Sequence, residues 1–233
     1  MSRKLLLLSN STQHGGGYLD HAWDAVAAHF AGVREIVFVP FALRDQAPYT
    51  QKARDRFAAG GIAVRGLPLD GTAPAVLREA EGVFVGGGNT FRLLDSLQRT
   101  SAIVALRDRA AAGMPYLGAS AGTNIVAPTI RTTNDMPIVQ PASFDALALV
   151  SFQINPHYVD AAPGSTHMGE TREQRLREYL EENERPVIGL REGSWLRVEG
   201  TSCRLEGARP ARLFRRGSEP EELPPGSDLS ALL

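Results

Sequence analysis

Ser120 stands in the run Gly118-Ala119-Ser120-Ala121-Gly122, which fits the pattern G-x-S-x-G. Such a serine does chemistry where an apolar strand turns sharply into a helix, because the turn pushes the hydroxyl outward. The flanks supply that context: an apolar stretch ends at Gly118, and the residues after Gly122 read as helical. A strained turn also needs small neighbours. The backbone N–H of Ala121 then lies at a helix start, free to donate to a developing oxyanion. A turn serine that only caps the helix is the plainer alternative.

A nucleophilic serine needs a base, and the base needs an orienting acid. His157 follows Asn155-Pro156 at the carboxyl end of an expected strand and is the candidate base. Two acids compete. Asp135, in the polar loop 127–141, gives the chain order Ser, Asp, His; Glu192, ending its own expected strand, gives Ser, His, Glu. Sheet logic favours Glu192, since it and His157 emerge at one sheet edge. Asp135 is then free to orient a substrate amine or to support the loop. Spacing alone leaves the choice open. Gly86-Gly87-Gly88-Asn89-Thr90 can present backbone N–H groups at a helix start, and Gly88 is the expected second oxyanion donor. A phosphate cradle is the rival reading of this loop, but it has neither G-x-G-x-x-G nor a G-K-[ST] ending.

These residues must be held by a scaffold. Residues 4–9, 35–40, 62–66 and 82–85 read as strands, the first a continuous leucine run, and 19–30, 49–59 and 73–81 read as helices between them. A further helix runs through Phe91, Leu94 and Leu97, and another spans 103–112. This alternation predicts an α/β fold, a doubly wound, mostly parallel sheet with helices on both faces. Beyond the serine turn, 151–154 and 186–190 are expected strands, and 194–198 with 201–205 a hairpin around Glu199-Gly200. Residues 171–182 form a charged helix opened by a Thr171/Gln174 capping box. From Gly217 the composition, rich in Pro, Glu, Ser and Gly, suggests a loose tail.

The 233 residues, 43% hydrophobic and 22% charged, suffice for one α/β domain. A net charge of −1 gives no footprint for a nucleic acid. The apolar run 5–8 is too short for a signal peptide, and no stretch reaches the ~20 residues a bilayer span needs. The single cysteine, Cys203, allows no internal disulfide and fits a reducing cytoplasm. His14, His21, His29 and His167 lack H-E-x-x-H spacing, so neither a metal nor another cofactor is expected.

The segments L-L-L-L-S-N-S-T (5–12), V-G-G-G-N-T (85–90), G-A-S-A-G (118–122), T-I-R-T-T-N-D-M-P-I-V (129–139), Q-I-N-P-H (153–157), G-E-T-R-E-Q-R (169–175) and V-I-G-L-R-E-G (187–193) together resemble the aspartyl dipeptidases, or dipeptidase E. That family shares a serine-peptidase group with cyanophycinase. The resemblance implies a three-layer fold like that of class I glutamine amidotransferases, and hydrolysis of dipeptides that begin with aspartate. It implies Ser120 as nucleophile, His157 as base, and Asp135 and Glu192 as the acids that could complete the relay. A substrate aspartate needs a cation, for which Arg172 is the first candidate and Arg131 the second, with Asn89 as a further binding residue. Ala119, and in lesser degree Thr123, depart from the family pattern beside the nucleophile, a change expected to widen the pocket. A cyanophycinase-like β-aspartyl-arginine hydrolase and a non-catalytic phosphate- or nucleotide-binding module remain as alternatives. A homodimer is left open.

Overall fold

Leu5, Leu6, Leu7 and Leu8 are all fully buried, which explains why the first strand shows no polar alternation. The computed structural model describes residues 3–161 and 169–233, so His167 lies outside the described residues. The first half of the chain runs β1 (Lys4–Leu8), α1 (Trp23–His29), β2 (Glu35–Val39), α2 (Gln46–Ala58), β3 (Ala63–Gly66), α3 (Ala73–Glu79) and β4 (Val83–Val85). Then come α4 (Thr90–Arg99), α5 (Ala102–Ala111), β5 (Tyr116–Ala119) and the short α6 (Ala121–Asn124). A long irregular stretch leads to β6 (Gln153–Pro156), α7 (Arg172–Glu182), β7 (Val187–Leu190), β8 (Ser194–Glu199), β9 (Ser202–Gly207), β10 (Ala211–Phe214) and β11 (Glu221–Leu223).

The strands form a seven-stranded sheet, β3-β2-β4-β5-β1-β8-β9, and a four-stranded sheet, β11-β10-β7-β6. The first five strands of the larger sheet are parallel, so the loops after β1, β4 and β5 open at one edge. β8 and β9 continue it antiparallel, as the expected hairpin. Side chains alternate between two apolar layers. Leu5, Leu7, Val83, Val85 and Tyr116 join the layer beneath α3 to α6. Leu6, Leu8, Phe84 and Leu117 join the layer beneath α1 and α2. Cys203 packs in the first of these layers, where burial pushes its thiol up to about 12, so it is an inert core residue.

β6 begins two residues later than the apolar pattern indicated and runs into Pro156. It is an edge strand, where a residue without an N–H is tolerated. β6 and β7 are parallel, with Pro156 opposite Leu190, so His157 and Glu192 leave the small sheet at the same edge.

The segment from Gly217 differs from the expected loose tail. β11 pairs with β10, and residues 226–229 then run along β9, with the Leu229 N–H donating to the Cys203 carbonyl at 2.7 Å and Leu205 donating to Ser227 at 3.0 Å. Leu223 and Leu229 are buried in the core. The polar composition concealed two apolar anchors that cover strand edges otherwise left unpaired. Leu229→Ala is therefore expected to cost about 2–5 kcal/mol of unfolding free energy. A loose tail would give no change in urea denaturation.

His29, on α1, is 1% exposed. Burial, aided by Lys4 and Arg197 nearby, pushes its pKa down to about 3 from 6.5. The folded protein thus keeps His29 neutral, while the unfolded chain takes up a proton below pH 6.5. Stability is fully present above pH 6.5 and drains away as pH falls toward 3. His29→Leu should flatten that decline by about 1.4 kcal/mol per pH unit, read from urea unfolding on either side of the histidine range.

Candidate active site

Ser120 caps the end of β5 at φ 53° and ψ −109°, a conformation rare for a residue with a side chain. Its N–H donates to the Leu8 carbonyl at 3.1 Å, and its own carbonyl accepts the N–H groups of Thr123 and Asn124 at 2.9 Å each. The flanking glycines are there for close approach. A Cβ on Gly118 would meet the Gly122 carbonyl oxygen at 2.5 Å, and one on Gly122 would collide with the Val85 carbonyl. The turn is held on both sides, and the hydroxyl is left half-exposed above it.

The structure brings His157 and Glu192 to this hydroxyl. His157 Nε2 lies 2.9 Å from Ser120 Oγ, and Nδ1 lies 2.6 Å from Glu192 Oε1. The carboxylate can only accept, so Nδ1 carries the proton and Nε2 presents its lone pair to the serine. That is the tautomer a general base requires. Asp135 makes no hydrogen bond or ion pair with the imidazole. Its Oδ2 accepts the Thr90 N–H at 2.7 Å, the Thr90 hydroxyl at 2.6 Å and the Thr133 hydroxyl at 3.1 Å. These donors fix the carboxylate at the start of α4, where the helix dipole favours an anion.

Ser120, His157, Asp135 and Arg172 line one cavity of about 260 Å³, together with Thr90, Asn124, Thr133 and Asn134. Arg172 opens α7 and makes no ion pair among the described residues. Burial and the neighbouring Arg175 lower its pKa, while Asp135 opposes that shift. The Gly88 N–H meets no protein acceptor among the described residues, at a φ of 131° that suits glycine. A Cβ there would press on the Ala42 carbonyl oxygen at 2.7 Å. The Ala121 N–H, first in α6, is likewise unpaired among the described residues. A Cβ on Gly87 would stand 3.1 Å from Ser120 Cβ, so the glycine loop runs against Ser120.

Two expected binding residues are placed elsewhere. Arg131 is exposed and stacks over the Phe144 ring at 5.2 Å, because the loop turns Thr133 and Asp135 inward and Arg131 outward. Asn89 spends its side chain on structure: Oδ1 accepts the Arg92 N–H at 3.0 Å, capping α4, and Nδ2 donates to the Met136 carbonyl at 2.8 Å. Ala119 and Thr123 do not enlarge the cavity either. Ala119 is packed in the layer beneath α1 and α2, and the buried Thr123 donates its hydroxyl to the Leu8 carbonyl at 2.7 Å. Thr90, Thr133 and Asn124 were not singled out from sequence; Thr133 lies in the polar cluster Thr132-Thr133-Asn134-Asp135 and Thr90 closes the glycine loop, while Asn124 carried no signal of its own.

Peptidase family S51 matches residues 5–206. The chain belongs to this family. It is 62% identical to the peptidase E of Streptomyces coelicolor over 229 residues, covering 98% of this chain and 94% of that protein. It is 48% identical to a probable alpha-aspartyl dipeptidase of Drosophila melanogaster over 235 residues, covering 100% and 98%. The crystal structure of a peptidase from an acI-B1 actinobacterium superposes with a TM-score of 0.75 at 16% identity, covering 98% and 97%, and shares the fold. No described helix is long and apolar enough to cross a membrane.

Proposed function

We propose that the protein is a cytoplasmic serine-type dipeptidase that hydrolyses Asp-X dipeptides through an acyl-enzyme. The observation that carries this reading is a Ser120–His157–Glu192 relay opening onto one cavity that also holds a carboxylate, Asp135, and a cation, Arg172. An Asp-X dipeptide brings the matching charges, an α-ammonium and a β-carboxylate, on its first residue. The names of the relatives, peptidase E and alpha-aspartyl dipeptidase, support the assignment.

In this mechanism Ser120 Oγ attacks the carbonyl carbon of the first residue while His157 Nε2 takes its proton. Glu192 holds the imidazole and stabilises the imidazolium that forms. The oxyanion accepts from the Gly88 and Ala121 N–H groups, each worth ~3 kcal/mol of transition-state stabilisation. His157 then gives its proton to the departing amine, and the second residue leaves. Water, deprotonated by the same nitrogen, attacks the acyl-enzyme and releases aspartate. The Asp135 oxygen not committed to Thr90 and Thr133 receives the substrate ammonium, and Arg172 pairs with the β-carboxylate, bidentate where geometry permits. One chain supplies every group, and the steps require no cofactor.

Glu192→Gln and Asp135→Asn should therefore fail differently. The first removes the charge behind the imidazole and is expected to lower kcat on the order of 10²–10⁴-fold with little change in KM. The second weakens capture of the ammonium and should act mainly on KM. Equal losses of kcat in both would put Asp135 in the relay. Steady-state kinetics with Asp-Leu as substrate separates these outcomes. Arg172→Met is expected to raise KM for Asp-Leu far more than for Ala-Leu. An equal rise on both substrates would remove Arg172 from recognition of the side chain.

A further inference from the structure

Three consecutive residues at the end of β1 each bind the backbone at or beside one member of the relay. The Leu8 carbonyl accepts the Ser120 N–H at 3.1 Å. The Ser9 hydroxyl accepts the His157 N–H at 2.9 Å and donates to the Leu190 carbonyl at 2.7 Å. Asn10 Oδ1 accepts the N–H of Gly193, the residue after Glu192, at 2.9 Å. Ser9 is fully buried and Asn10 1% exposed, so neither bond competes with bulk water. Ser120 belongs to the larger sheet, whereas His157 and Glu192 follow strands of the smaller one. Among the described residues no hydrogen-bonded ladder joins those sheets; apart from these bonds and that from Asn124 Nδ2 to the Ile154 carbonyl at 2.8 Å, the contact between their strands is apolar packing, which is non-directional.

We infer that Ser9 and Asn10 are positioning residues that hold His157 and Glu192 in reach of Ser120, with Leu8-Ser9-Asn10 serving as the common template for all three. The inference rests on the relay proposed above. The Ser9 hydroxyl ties the base to the strand that precedes the acid, and Asn10 ties down the turn just beyond the acid. Removing either leaves the cavity wall, Arg172 and Asp135 in place but frees the imidazole to drift. A misplacement of about 1 Å in such an arrangement costs on the order of a hundredfold in rate.

The test compares Ser9→Ala, Asn10→Ala and Asn10→Asp with the wild-type chain in Asp-Leu hydrolysis, in the rate of Ser120 labelling by a fluorophosphonate, and in thermal melting. The alanine variants are expected to lose kcat on the order of ten- to a hundredfold, with KM within about twofold and labelling slowed in parallel. Asn10→Asp keeps an acceptor oxygen and should recover most of the loss. Should Ser9→Ala fail to fold, the Asn10 pair decides alone. Folded alanine variants with wild-type kcat and labelling would overturn the inference, as would a loss that Asn10→Asp does not restore. A wild-type chain that is labelled but does not cleave Asp-Leu overturns only the substrate assignment, and the variants' labelling rates still decide the role of Ser9 and Asn10. A wild-type chain neither labelled nor active overturns the hydrolase reading and this inference with it.

Discussion

A hydroxyl carried by one sheet must meet an imidazole carried by another. Ser120 ends a strand of the seven-stranded sheet, and His157 follows a strand of the four-stranded sheet, yet Oγ and Nε2 stand 2.9 Å apart. Leu5, Leu7, Ile154, Ile188 and Leu190 share one core layer, which sets the spacing between the sheets. Packing of that kind fixes distance more firmly than register. Register comes from directional bonds between the two sheets: Ser9 to Leu190 and His157, Asn10 to Gly193, and the Asn124 Nδ2 to the Ile154 carbonyl at 2.8 Å.

Ser120 and His157 both sit at positive φ, at 53° and 54°. Each such conformation costs on the order of 1–3 kcal/mol and survives only where its surroundings over-determine it. At Ser120 the restraint is visible in backbone bonds on both sides of the residue and in two glycines pressed against neighbouring carbonyls. At His157 it is the Ser9 hydroxyl on the N–H and the Glu192 carboxylate on the ring. The strain aims both side chains into the cavity, where relaxed backbone would direct them elsewhere.

Much of this arrangement was legible from residues alone. The leucine run and the alternation of strand and helix patterns give the doubly wound sheet. The Thr171/Gln174 capping box forms as read, with both reciprocal bonds present. Sheet logic favoured Glu192 over Asp135 as the imidazole's neighbour, without closing the choice, because two expected strands would end at one edge, and β6 and β7 do lie side by side. What could not be read depends on contacts between distant loops. Nothing local says that Arg131 turns out onto Phe144 while Asp135 turns in, or that Asn89 is occupied by Arg92 and Met136. The division into two sheets was equally hidden, since strand patterns report burial and not partners. The docked tail was missed because two leucines in a polar segment are too few to register as a pattern.

The position of Arg172 bears on how selectivity and stability are divided. It is the first residue of α7, at the positive end of the helix dipole, with Arg175 one turn on and no carboxylate partner among the described residues. For stability alone that site calls for an acid. The free protein therefore holds a cation where its own field disfavours one, partly removed from water. In the proposed reaction a bound β-carboxylate would neutralise that charge, and the unfavourable placement in the free protein would become discrimination in the complex. Ala119, beside Ser120, plays no such part: it packs in the core and does not line the cavity. On the proposed reading, selectivity for the first residue rests with two opposed charges, Arg172 and Asp135, held on separate elements, and a substrate lacking either complementary group would leave one of them unpaired.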